Sequence, residues 1–126
     1  MTTTDLIYNK TTQNLTGFGK TWTVRCGGEH YAALENKIYS VPPKSLMIGT
    51  DQVPGAIYHE KYNQACYKDE NGLGWFLWLG EANLGIHPNM NSTGTQGCIG
   101  IVASCTRDLF DFLRVRSDRT LTVQVK

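Results

Sequence analysis

Excess charge is nearly absent: twelve Lys and Arg stand against eleven Asp and Glu, a formal net charge of +1 over 126 residues. Such a balance offers no surplus to release counterions from a phosphate backbone, and only Arg114, Arg116 and Arg119 cluster, so DNA and RNA are poor partners. Long apolar runs are also missing. The longest, Trp75-Phe76-Leu77-Trp78-Leu79, falls far short of the roughly 20 residues a membrane helix needs. Met1 to Asp5 has neither the basic start nor the apolar stretch of a secretory leader. The expectation is a protein made in the cytoplasm without a signal peptide.

Cysteine is sparse. Cys26, Cys66, Cys98 and Cys105 are an even number, but their density is far below that of a disulfide scaffold. No Cys-x-x-Cys pair suggests redox work, and cysteines and histidines stand singly where zinc wants pairs two to four apart. Neither a metal nor an organic cofactor is expected.

The chain is long enough for one domain with a core and too short for two ordinary ones. It shows no repeat, low-complexity tract or linker, so residues 1–126 are expected to form a single catalytic-sized domain, continuous from about Leu6 to Val125. Trp22, Val24 and Cys26 alternate with Thr21, Thr23 and Arg25, and Leu121, Val123 and Val125 alternate with Thr122 and Gln124, as half-buried strands require. Short runs bounded by Gly, Pro or Asn at 37–40, 45–48, 56–60 and 74–79 read as further strands. Thirteen glycines supply turns, with Asn71-Gly72 a hairpin signal. Helical spacing is clear once: Cys105, Leu109, Phe112 and Leu113 behind a capping candidate, Ser104. A second helical turn over 29–36 would be short. The expected class is mainly β, largely antiparallel, with one or two short helices.

Cys26 on an inward strand face and Cys105 on the helix stripe read as core residues. Cys66 has no pattern around it, and a Cys26–Cys66 bridge is open. His30 and His59 read as surface or hydrogen-bonded histidines. Cys98 differs, because Thr95-Gln96-Gly97-Cys98-Ile99-Gly100 surrounds the thiol with small residues. Glycines beside a nucleophile let a carbonyl approach the backbone and let successive N–H groups form an oxyanion hole. His87, at the end of the extended Leu84-Gly85-Ile86 and stopped by Pro88, can face Cys98 if the intervening loop folds back. An imidazole there would stabilise the thiolate. The same cysteine in an inert binding module would be a buried turn residue.

His87 followed by Thr95-Gln96-Gly97-Cys98-Ile99 resembles the signature of the L,D-transpeptidase catalytic domain, the YkuD-like fold. Gln52-Val53-Pro54-Gly55-Ala56-Ile57-Tyr58 resembles that family's turn into a sheet strand. The resemblance implies a β-rich sandwich acting on peptidoglycan stem tetrapeptides as an L,D-carboxypeptidase, an L,D-transpeptidase or a D-amino-acid exchanger. It implies Cys98 as nucleophile and His87 as acid–base partner. Gly97, Thr95 and Gln96 would shape the oxyanion site, and the Pro88 carbonyl would orient the imidazole. Within the group the chain is most similar to small antibacterial effectors of type VI secretion. That implies delivery into the periplasm of a target bacterium and a cognate immunity protein in the producer. Three features depart from the family pattern: a shorter gap between His87 and Cys98, Gln96 where a second histidine is frequent, and Gly100 where an arginine commonly follows Cys-Ile. Two other readings stand beside this one: a non-catalytic phage or secretion-associated binding module, and a cysteine amidase or peptidase of other specificity.

Overall fold

Trp22 and Val24 turn into the core while Thr21 and Thr23 face solvent, in a computed structural model that describes residues 4–26, 34–48, 57–58, 69–81, 84–88 and 99–126. Among the described residues there are ten strands and one helix. The strands are β1 (Leu6–Asn9), β2 (Asn14–Gly17), β3 (Lys20–Cys26), β4 (Ile38–Val41), β5 (Leu46–Ile48), β6 (Ile57–Tyr58), β7 (Trp75–Trp78), β8 (Gly85–Pro88), β9 (Ile99–Ile101) and β10 (Leu121–Val125). The helix, α1, is Arg107–Arg114.

The strands join in one sheet of order β4-β10-β1-β2-β3-β9-β8-β7-β5-β6. Three neighbouring pairs, β1–β10, β5–β6 and β8–β9, run parallel, and the other six are antiparallel. The mainly β, largely antiparallel expectation therefore holds. β3 joins the two halves: Lys20 to Thr23 pair with β2, whereas Val24 to Cys26 pair with β9. Because the sheet curls, one buried cluster draws Leu6, Tyr39 and Val123 from one half and Ile48, Trp75 and Ile99 from the other. Leu109, Phe110 and Leu113 of α1 are fully buried in that cluster.

Two expectations about the helix need correction. Cys105 is exposed and precedes α1, so the stripe that enters the core is Thr106, Leu109, Phe110 and Leu113, spaced i, i+3, i+4 and i+7. Ser104 does not cap the helix. Thr106 occupies that position without a side-chain cap, and its backbone N–H donates instead to Asp69 Oδ2 at 2.8 Å. A carboxylate from a distant turn thus takes over what a local serine was expected to do. The Asn71-Gly72 signal does mark a turn: the Gly72 N–H donates to the Asp69 carbonyl at 3.0 Å, and Gly72 adopts φ +81°, which glycine adopts without strain. The helical turn considered over 29–36 lies largely outside the described residues, and 34–36 are not helical.

Candidate active site

β8 is short, central and buried along all four residues. It pairs antiparallel with β7 and parallel with β9. Ile86 is part of the core, so strand alternation turns the His87 side chain to the opposite face of the sheet. His87 is nevertheless only 2% exposed. On that face the Phe76 ring of β7 stacks on the imidazole, with centroids 6.0 Å apart and planes inclined by 12°.

Gly85 makes room for this stack. A Cβ at that position would overlap the Phe76 ring itself, so Gly85→Ala must displace the ring from its place beside His87. The expected result is a loss of about 1–3 kcal/mol in chemical denaturation, the usual cost of overpacking, together with a larger proportional fall in turnover. Unchanged turnover in a folded Gly85→Ala protein would show that the stack does not matter to His87.

His87 Nδ1 lies 2.8 Å from the Pro88 carbonyl oxygen. A carbonyl can only accept, so Nδ1 carries the hydrogen, and in the neutral ring Nε2 carries the lone pair. Burial pushes the His87 pKa below its ordinary value, against the raising effect of the Pro88 carbonyl. The result is an imidazole held neutral at neutral pH and fixed in one tautomer, the state a general base requires.

Of the residues singled out from sequence, His87 and Pro88 are brought into direct contact. Thr95, Gln96, Gly97 and Cys98 lie outside the described residues, as do Cys66, His30, His59 and the turn at 52–56. Cys26 is placed in the backbone of β3, and the proposed Cys26–Cys66 bridge lies outside the described residues. β9 begins at Ile99, the residue bonded to Cys98. Its parallel register sets Ile99 opposite Ile86 and Gly100 opposite His87. Phe76 escaped the sequence reading. The available signal was its position in Trp75-Phe76-Leu77-Trp78, out of phase with the core residues Trp75 and Leu77.

The fold is one seen in solved structures. The chain is similar to L,D-transpeptidase 1 of Mycobacterium tuberculosis, with a TM-score of 0.55 and 11% sequence identity, over 95% of this chain and 57% of that one. This chain therefore corresponds to little more than half the length of the transpeptidase structure. At that identity the likeness establishes the β-rich, L,D-transpeptidase-like fold. No protein-family model and no curated protein matches the sequence.

Proposed function

We propose that the chain is a cysteine-dependent enzyme that modifies peptidoglycan by acting on stem tetrapeptides. The reading is carried by one observation: Ile99, bonded to Cys98, is in register with Ile86, the residue before a buried histidine held neutral with Nε2 as its basic nitrogen. The L,D-transpeptidase-like fold and the sequence around Cys98 support the same chemistry.

In this reading His87 Nε2 takes the thiol proton of Cys98, and the thiolate attacks the carbonyl of the third stem residue. The tetrahedral oxyanion is met by backbone N–H groups at Gly97 and Cys98, within a turn shaped by Thr95 and Gln96. As the C–N bond breaks, the imidazolium returns the proton to the departing amine of the terminal D-alanine and a thioester remains. Water then releases the acyl group, an L,D-carboxypeptidase outcome, while an amine acceptor gives cross-linking or D-amino-acid exchange. The Pro88 carbonyl keeps the ring oriented throughout and stabilises its positive charge when it forms.

Depleting tetrapeptide donors blocks new cross-links, so the protein fits the role of an antibacterial effector active in a target cell's periplasm. A cognate immunity protein is the partner such a role requires. The test is mass spectrometry of purified tetrapeptide muropeptides incubated with the protein and with Cys98→Ala. Loss or exchange of the terminal residue with the intact cysteine only is the expected result. An unchanged muropeptide profile under reducing conditions overturns the reading and favours a non-catalytic binding module.

A further inference from the structure

Across β3, β9 and β8, Arg25 is in register with Gly100, and Gly100 with His87. Residues in register on paired strands share a face. The side chains of Arg25 and His87 therefore stand on one side of the sheet with only a glycine between them. This is the side away from the core, since Trp22 and Val24, which alternate with Arg25 along β3, belong to the core. Neighbouring strands lie about 4.8 Å apart, which puts the two backbones roughly 10 Å from each other. One amino acid spans about 3.8 Å between Cα atoms. A residue whose amide bond sits beside the imidazole thus brings its own carboxylate toward an arginine two strands away.

The guanidinium is suited to receive it. Nη1 donates to Gln13 Oε1 at 2.9 Å, and Gln13 immediately precedes β2, the neighbour of β3 on the side away from β9. Nε–H lies on the other edge of the planar group. It is buried and has no hydrogen-bond partner among the described residues, nor do the ion pairs among those residues include Arg25. An unpaired buried donor on a permanent cation is costly. The edge it occupies is one through which arginine holds a carboxylate by two parallel N–H bonds.

We propose that Arg25 binds the free C-terminal carboxylate of the donor peptide, so that the site selects chains in which one terminal residue follows the scissile bond. This deepens the peptide-cleaving reading of the same site and rests on it. The substrate class becomes peptides ending in a free carboxylate, and amidated or extended chains are excluded.

Calorimetric titration of the non-cleaving Cys98→Ala protein with a synthetic stem tetrapeptide and with its C-terminal carboxamide tests the proposal. The free acid is expected to bind about 10- to 100-fold more tightly, the range of one charge-assisted pair. Arg25→Gln in the same background should abolish that preference while leaving carboxamide binding within about threefold, and Arg25→Lys should keep part of it. Equal affinity for acid and amide, failure to bind either, or a preference that survives Arg25→Gln overturns the proposal. The comparison of acid with amide needs no Arg25 variant and stands even if Arg25→Gln fails to fold. Turnover separates the two readings. Acid preference that depends on Arg25, without cleavage by the intact cysteine, removes the enzymatic reading and keeps the carboxylate site. Cleavage of acid and amide at equal kcat/KM does the reverse.

Discussion

His87→Asn should lower kcat/KM on tetrapeptide donors by about 10²- to 10⁴-fold, the usual contribution of a positioned acid–base group, while the protein stays folded. Asparagine can place an amide N–H near the position of Nδ1 and keep the bond to the Pro88 carbonyl, but it has no basic nitrogen where Nε2 stood. The wild-type pH profile carries the same information. Because burial lowers the His87 pKa, activity should persist as pH falls past about 6.5, the ordinary histidine value, and the acid limb should appear only below it. Stability follows the same sign. The unfolded chain binds this proton more tightly than the folded one, so the contribution of His87 is complete above about pH 6.5 and is lost as pH falls toward the depressed folded value. Thermal melts of wild type and His87→Asn between pH 7.5 and 5 should therefore converge as the pH drops. An acid limb above pH 6.5, or parallel melting curves, would show that His87 is not held neutral by burial.

Much of this arrangement is legible in the sequence because its signal is local. Alternation finds β3 and β10 directly, since a strand with one face in the core must repeat every two residues. His87 is found by its place at the end of an apolar extended run, and Pro88 by the resemblance that pairs it with the ring. β1 and β2 are not evident. Leu6-Ile7-Tyr8-Asn9 and Asn14-Leu15-Thr16-Gly17 are four residues each, too short for alternation to stand out. Their hairpin is made by Asn9, whose Oδ1 accepts the N–H groups of Thr11 and Thr12 at 3.0 and 3.2 Å. The Arg25–Gly100–His87 row is invisible for another reason. It is created by strand register that sets β3 beside β9 and β9 beside β8, bringing Arg25 near His87 across a long stretch of chain, which nothing local encodes. Cys105 misleads because its spacing to Leu109 fits a helix that begins only after it. Exposed as it is, Cys105 will react with alkylating reagents through access alone, so thiol labelling meant to report on Cys98 needs Cys105→Ser as background.

Asp69→Ala should be among the most destabilising single substitutions in the described residues. Asp69 is 3% exposed, and its carboxylate holds two parts of the chain at once. Oδ1 accepts the N–H groups of Asn71 and Leu73 at 2.9 and 3.1 Å, closing the turn before β7. Oδ2 accepts the backbone N–H and the hydroxyl of Thr106, each at 2.8 Å, at the start of α1. Because the Thr106 hydroxyl donates to Asp69, its oxygen is left to accept Trp75 Nε1–H at 2.9 Å, which ties fully buried Trp75 into the same network. Truncation leaves four donors without their acceptor, and the two on Thr106 are buried. Charge-assisted bonds contribute about 1.5–3 kcal/mol each, but they are not additive once water and local relaxation enter, so a net loss of about 3–4 kcal/mol is expected. For a domain of this size that corresponds to a fall in Tm of roughly 10–20 °C. Thr106→Val should cost less, about 1–3 kcal/mol, because it strands only the Trp75 N–H and one carboxylate lone pair. The double variant should be clearly less destabilised than the sum of the two, since both act on one network. A Tm within about 3 °C of wild type for Asp69→Ala would mean that the turn and the helix are held by packing alone. The consequence reaches the site through β7. Trp75 anchors the strand whose next residue, Phe76, stacks on His87, so Asp69→Ala should also lower turnover at temperatures where the protein is still fully folded.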